Sequence, residues 1–249
     1  MKFTIVAGAM ASAFLSVSTI AASATTLTDG TFSSVTATPF AAGGATVTSQ
    51  TPCTSCGNPT PGPGLAGLQA SFSAGTSSGI SDVGFVDTGM GSYNPGTSGA
   101  IASISGSYDR FLTLTSLGAQ SNFFRLVIEQ GGVDYGSAVS IGGSDSGNAW
   151  HTLSASGLTT SSFTEFNFAT GVMGSTHPDF SASGAPMTFG IFVLASLTGG
   201  STEGLTADFD NLSVTITQTP LPAALPLFAT GLAGLGLLGW RRKRKAVDA

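Results

Sequence analysis

The stretch that decides the fold is M-T-F-G-I-F-V-L-A-S-L, residues 187–197. Met187, Phe189, Ile191, Val193, Ala195 and Leu197 recur at every second position, so they share one face of an extended strand. Residues 207–217, A-D-F-D-N-L-S-V-T-I-T, repeat the pattern, with Leu212, Val214 and Ile216 on one side and Ser213, Thr215 and Thr217 on the other. Between positions 123 and 130, Phe124, Leu126 and Ile128 oppose Arg125 and Glu129. Apolar faces backed by polar ones are the mark of antiparallel strands with one side in a core and one in water.

Outward from these segments the chain keeps the same grammar. Short strand-like runs occur at 31–36, 45–50, 68–73, 81–87, 100–105, 110–115, 138–141, 149–154 and 163–168, divided by Gly, Ser, Thr, Asn and Pro. No amphipathic helical pattern precedes position 220. The expected fold is all-β, an antiparallel β-sandwich of jelly-roll type over residues 25–218. Residues 51–67, TPCTSCGNPTPGPGLAG, are a Pro- and Gly-rich loop within it.

Charge is scarce and unevenly placed. Only 8% of the 249 residues are charged, against roughly 25% in an ordinary globular domain. Five of the eight basic residues form one run, Arg241, Arg242, Lys243, Arg244 and Lys245. Between positions 25 and 219 the only basic residues are Arg110 and Arg125, against twelve acids, a net charge of −10. Nucleic acid, which needs a basic face, is excluded as a partner.

Both ends read as addresses. Lys2, the apolar run from Phe3 to about Ile20 and the small residues Ala22-Ser23-Ala24 make residues 1–24 a secretory signal peptide. Residues 221–240, LPAALPLFATGLAGLGLLGW, carry no charge, and that length crosses a bilayer core as one transmembrane helix. Trp240 and the basic run close it, which places the tail in the cytoplasm.

The tail from 219 to 249 contains a motif, Pro220-Leu221-Pro222-Ala223, then the apolar segment, then the basic cluster at the terminus. In that order the three resemble the PEP-CTERM class of bacterial sorting signals, in its VPLPA variant, with Thr219 where Val is usual. The resemblance implies cleavage by an exosortase near Pro220–Ala223 in a Gram-negative bacterium. It also implies transient residence in the inner membrane, then release to the surface or extracellular matrix, and a structural or adhesive role in exopolysaccharide or biofilm. The segment from Phe189 to Ile216 also resembles the last two strands of sandwich ectodomains in this class, which are similar to carbohydrate-binding jelly rolls. A carbohydrate-binding module is therefore the alternative function, and a polysaccharide-acting enzyme a further one. A plain membrane anchor is the alternative for the tail.

No residue reads as catalytic. Gly75-Thr76-Ser77-Ser78-Gly79 matches a nucleophile-elbow pattern but lacks the strand–turn–helix context it needs. Glu129, Glu165 and Glu203 are the only glutamates, and nothing local pairs any two of them. His151 and His177 have no partner nucleophile in the sequence. Cys53 and Cys56, the only cysteines, are expected as a local disulfide in an exported chain.

Asp208 and Asp210 share strand parity with Leu212, Val214 and Ile216, which puts both inward. Inward carboxylates must be hydrogen-bonded, paired or bound to a cation. A structural calcium held by Asp208, Asp210 and Asp29 is one expectation, and the resemblance to carbohydrate-binding jelly rolls implies the same ion. A bulge that turns both side chains to solvent, or carboxylates bonded to N–H groups, is the other. Trp150 is expected as a core residue, with a sugar-stacking platform as the alternative shared with Tyr93, Tyr108 and Tyr135.

Overall fold

The computed structural model describes residues 22–43, 45–53, 56, 67–74, 79–114, 120–138, 149–197, 203–220 and 232. Ser23–Thr219 form one compact unit, and Met1–Ala22 with Pro220–Ala249 a second. Nearly all of the second lies outside the described residues. So do most of the signal-peptide segment, the transmembrane segment, Leu221, Pro222, Ala223, the basic tail and the Gly75–Ser78 motif.

The first unit is an antiparallel β-sandwich. Its strands are β1 (Ala24–Asp29), β2 (Val35–Ala42), β3 (Ala45–Cys53), β4 (Gly67–Ala74), β5 (Gly79–Asp87), β6 (Ile101–Leu114) and β7 (Gln120–Gln130). They continue with β8 (Val133–Ser137), β9 (Trp150–Leu158), β10 (Phe163–Asn167), β11 (Val172–Met173), β12 (Met187–Leu197) and β13 (Glu203–Gln218). One sheet of six strands runs β3-β4-β13-β6-β9, with β1 also paired to β13. The other, of seven, runs β11-β10-β8-β7-β12-β5-β2.

The three segments with the clearest alternation become β12, β13 and β7, and each lies inside its sheet, flanked on both sides. The expected strands at 100–105 and 110–115 are one continuous strand, β6, because Gly106-Ser107-Tyr108-Asp109 stays extended beside β13. The expected strand at 138–141 lies outside the described residues except for Ala138, which follows the end of β8.

The core fills the space between the sheets. Phe209 of the six-stranded sheet sits 6.2 Å from Phe85, 5.8 Å from Tyr108 and 5.9 Å from Phe124, ring centre to ring centre. Arg110 is also fully buried here, its guanidinium 4.4 Å from the centre of the Phe124 ring. A cation over an aromatic face is attracted by the ring quadrupole, which offsets part of the desolvation of the guanidinium. Burial raises Tyr108 above the usual phenol range, while the Arg110 charge acts the other way.

A bulge in β13 corrects the expected parity. The pairing of β13 with β6 shifts between Asp210 and Ser213, and Asn211 takes the left-handed conformation at φ 52°. Before the bulge Leu205, Ala207 and Phe209 face inward; after it Leu212, Val214 and Ile216 do. One extra residue moves every side chain to the other face. The bulge follows both Asp208 and Asp210, so it is their shared parity with Leu212 that fails: Asp208 stands on the outer face, and Asp210, paired with Asp109 at the edge of the bulge, is buried.

Candidate functional site

Three places gather polar or aromatic side chains. The first is the outer face of the six-stranded sheet. Strand register aligns Trp150 of β9 with Phe111 of β6, Phe111 with Asp208 of β13, and Asp208 with Gln69 of β4. Residues directly opposite share a face, so these four form one row across four strands. At about 4.8 Å per strand the row spans roughly 14 Å. Trp150 and Phe111 are half-buried, with ring centres 5.7 Å apart. Gln69 Nε2 donates to Asp208 Oδ1 at 2.8 Å. Burial raises Asp208 above the ordinary carboxylate range, and the Gln69 amide works against that shift.

Around this row the face is hydroxyl-rich. Thr46 and Ser73 are bonded at 2.6 Å, Ser71 and Thr206 at 3.1 Å, and Thr26 and Thr215 at 3.0 Å. The face presents donors and acceptors with little charge. Trp150 is thus not the core residue expected of it. Tyr93, Tyr108 and Tyr135 are buried, so the tyrosines do not join a platform.

The second place is the outer face of the seven-stranded sheet, which is largely filled by the protein itself. Phe166, Phe168 and Phe192 meet there at 4.7–5.2 Å. Val127 packs with them, and Val86 and Leu194 border the cluster. Phe168 comes from the turn after β10 and lies on Gly84 of β5, where an added Cβ would stand 2.5 Å from its ring. Gly171 in the same turn, at φ 66°, abuts the Phe40 ring of β2. The turn therefore reaches across the face to the opposite edge strand. On β5 beneath, Asp82 is 1% exposed and neither carboxyl oxygen has a hydrogen-bond partner. Burial pushes its pKa up to about 7.

Beside this plug a pocket of about 200 Å³ stays open. Thr38 of β2 lines one side; Asp134 of β8 and Glu165, Phe166 and Phe168 of β10 and its turn line the other. Burial, and next the Glu129 charge, hold Asp134 at about 6. Thr176 Oγ1 donates to Glu165 Oε2 at 2.6 Å. Glu129 accepts from Thr188 Oγ1 at 2.8 Å and from the Gly132 N–H at 3.1 Å. His177 Nδ1 contacts the Phe163 carbonyl.

The third place is one end of the sandwich. Asp29 Oδ1 accepts from Thr31 N at 2.6 Å, Thr31 Oγ1 at 2.8 Å and Phe32 N at 3.1 Å. Burial acts to raise Asp29, but these bonds outweigh it and its pKa falls below the ordinary value. Its carboxylate faces Asp87, which burial and then the Asp29 charge push up to about 6. Asn211 Nδ2 donates to Asp109 Oδ2 at 2.8 Å, and Asn211 N to Asp210 Oδ1 at 2.7 Å.

Asp29, Asp208 and Asp210 are not brought together. Asp208 is bound to Gln69, Asp29 faces Asp87, and Asp210 is tied into the bulge. Among the described residues no three His, Cys, Asp or Glu side chains converge as a metal-ligand set. The arrangement does not fit the calcium expected on those three carboxylates. Cys53 and Cys56 are bonded through their sulfurs, with Cα atoms 5.7 Å apart.

No protein-family model matches the chain. No curated protein matches it either. Among solved structures it is similar to carbohydrate-binding modules described as belonging to the β-sandwich superfamily, at TM-score 0.35 and 12% identity over 74% of this chain and 57% of that one. This chain thus matches little more than half the length of that structure. It is also similar to the CBM22-1 xylan-binding domain of Paenibacillus barcinonensis Xyn10C, at TM-score 0.30 and 11% identity over 78% of this chain and 94% of that one. A third is the CBM22-1–GH10 portion of the Clostridium thermocellum endo-1,4-β-D-xylanase 10B, complexed with xylohexaose, at TM-score 0.30 and 12% identity over 76% and 28%. The sandwich assigned above rests on the strand pairings, independently of these likenesses.

Proposed function

We propose that this chain is an exported polysaccharide-binding β-sandwich protein that holds a glycan on the outer face of its six-stranded sheet. The observation that carries the reading is the row Trp150–Phe111–Asp208–Gln69. Two half-buried aromatic rings offer flat apolar faces for the C–H side of sugar rings. A carboxylate and an amide in the same line supply acceptors and donors for hydroxyls. The row is long enough for more than one sugar residue, and the hydroxyls around it can bond a neutral chain. The net charge of −10 between positions 25 and 219 disfavours an anionic polymer. The reading assigns binding and no catalytic residue.

The tail adds a place to this activity. Pro220-Leu221-Pro222-Ala223, the apolar segment and the basic run support sorting by an exosortase, which would leave the sandwich at the surface or in the matrix. Adhesion to exopolysaccharide is then the role that joins the two.

Two measurements test these statements separately. Affinity electrophoresis through neutral polysaccharides (xylan, a β-1,3-glucan and hydroxyethylcellulose) should retard the protein, and Trp150→Ala should lose about tenfold or more in affinity. Migration unaffected by every polymer, or a Trp150→Ala variant that binds as wild type does, refutes the glycan row. The intact mass of protein purified from its own host should lack residues 1–24 and everything beyond about Pro220–Ala223. A mass running to Ala249 refutes the sorting.

A further inference from the structure

The last strand of the sandwich ends where the sorting motif begins. Gln218 closes β13, and only Thr219 stands between it and Pro220. Thr219 is itself fastened. Its N–H donates to the Ala100 carbonyl at 2.8 Å, and its Oγ1 donates to the same oxygen at 3.2 Å. Gln218 N donates to the Ser23 carbonyl at 2.9 Å, and Gln218 Nε2 to Thr25 Oγ1 at 3.3 Å. Pro220 has no N–H and a fixed φ, so it extends no ladder and adds little slack. The chain thus passes from the sheet into Pro220-Leu221-Pro222-Ala223 without a linker.

A protease that cuts this motif meets two obstacles. Extended peptides are commonly bound as an added strand, through their backbone N–H and C=O groups. The N–H groups of Gln218 and Thr219, just ahead of the motif, are already bonded to Ser23 and Ala100. The second obstacle is reach. From Thr219 to Ala223 the chain spans at most about 14 Å. Two packed sheets are about 10 Å apart before their outer side chains are added, so the end of the sandwich is as wide as the tether is long. The segment that begins at Leu221 is the one read as crossing the bilayer, which holds the enzyme to the membrane surface.

The fold also has a place where this end can open. The pairing of β13 with β6 is regular from Ser213 to Thr217 and then shifts: Thr217 faces Ser103, and Gln218 faces Ile101. That irregularity sets Gln218 and Thr219 apart from the rest of the ladder. On the other side of β13, removal of residues 1–24 takes away the Ser23 carbonyl and Ala24, the partner of Thr217. The mature chain then holds this end chiefly through β6.

We propose that the folded sandwich restrains its own sorting: Gln218 and Thr219 must leave the sheet before cleavage near Pro220–Ala223, so the stability of this end of β13 sets the cleavage rate. The proposal rests on the sorting reading above and is independent of glycan binding. The step itself is hydrolysis of one peptide bond, with water supplying the new carboxylate and ammonium ends.

The test follows the full-length chain in membranes of its own host, with loss of the tail scored over time by intact mass. Inserting Gly-Ser-Gly-Thr between Thr219 and Pro220 supplies slack and keeps a threonine before the motif. This variant should be cut at least about threefold faster than wild type, the effect of no longer having to break a net hydrogen bond or two. Ser103→Cys combined with Thr217→Cys places cysteines directly opposite each other on the last regular rung, where a disulfide can close. The oxidised form should be cut at least about threefold more slowly. A reductant that leaves the wild-type rate unchanged should restore it, which a misfolded variant would not do. An insertion cut no faster than wild type, or an oxidised form cut at the wild-type rate, overturns the restraint and leaves the sorting intact. Retention of the tail to Ala249 in every variant, the insertion included, overturns the sorting reading and the restraint with it.

Discussion

The outer faces of the two sheets carry similar residue types to different ends. On the seven-stranded sheet, Phe166, Phe168 and Phe192 are at most 6% exposed, because the turn after β10 folds back over the face. On the six-stranded sheet, Phe111 and Trp150 remain partly exposed among serines and threonines. The first cluster is a small second core, and the second is a surface that can meet a ligand. An aromatic residue on an outer strand face therefore says little by itself. What decides is whether a neighbouring turn carries a residue long enough to cover it and a glycine beneath to receive it. Phe168 over Gly84 supplies both.

The largest effect should come from removing that cover. Phe168→Ala deletes a ring that is 2% exposed and packed against two others. Truncations of this kind cost about 3–5 kcal/mol in a main core, and a satellite cluster should sit near the lower end. Urea denaturation should show a loss of about 3 kcal/mol, with affinity for neutral polysaccharide unchanged. A loss below about 1 kcal/mol would mean that the turn lies loosely on the sheet and that the two faces are more alike than their burial suggests.

A second difference is electrostatic. Asp82 on the plugged face has its folded-state pKa raised from 3.8 to about 7 by burial. The folded protein then keeps a proton that the unfolded chain releases. Stability falls as pH rises from about 4, and the loss is complete above about 7. Asp87 and Asp134, both raised to about 6, act with the same sign over a narrower range. Asp82→Asn removes the largest part of this dependence. At about pH 8 the variant should be more stable than wild type by about 1–3 kcal/mol, and at about pH 4 the two should nearly coincide. Chemical denaturation at both pH values measures this, and a parallel offset at both would show that Asp82 is ionised in the folded state.

How much of this was legible follows from what each feature depends on. The strands β7, β12 and β13 were plain in the alternation, because an interior strand with one face in a core leaves that pattern in its residues. The sandwich followed from them. The fate of Asp208 was not legible, since period-two counting assumes an unbroken ladder. The sign that was present, Asp210-Asn211 within the strand, is weak: Asn tolerates the left-handed conformation, yet most asparagines in strand-like runs do not bulge. The row across the six-stranded sheet was hidden for a different reason. Trp150, Phe111, Asp208 and Gln69 are far apart in sequence, and only the register of three strand pairs aligns them. The pocket joins β2 to β8 and β10 in the same non-local way.

The bulge itself can be tested, with a smaller effect. Asn211 adopts φ 52° and ties Asp109 to the strand through its side-chain amide. Asn211→Gly keeps the conformation and loses only the hydrogen bond, so it should destabilise by about 0.5–1 kcal/mol. Asn211→Val must also hold a β-branched residue in the left-handed region and should lose about 1–3 kcal/mol. The gap between the two variants is the informative quantity. Equal losses would mean that the conformation carries no strain, and that the parity of Leu212, Val214 and Ile216 is fixed by burial alone.

The smallest effect on folding should belong to the residue with the largest expected effect on binding. Trp150 sits on β9 at the edge of its sheet, half-buried against Phe111. Its truncation leaves no closed cavity, because solvent already reaches the ring. Trp150→Ala should therefore cost about 1 kcal/mol or less in urea denaturation, against about 3 for Phe168→Ala. A core tryptophan would lose several times as much. If Trp150→Ala is as damaging as Phe168→Ala, the ring is fastened to the fold rather than held out to a ligand. The contrast between the two faces then collapses, since both would be covered surfaces. If the variant is nearly as stable as wild type but no longer binds polysaccharide, its exposure has no structural purpose. The cost of keeping a tryptophan partly in water is then accounted for by the glycan that covers it.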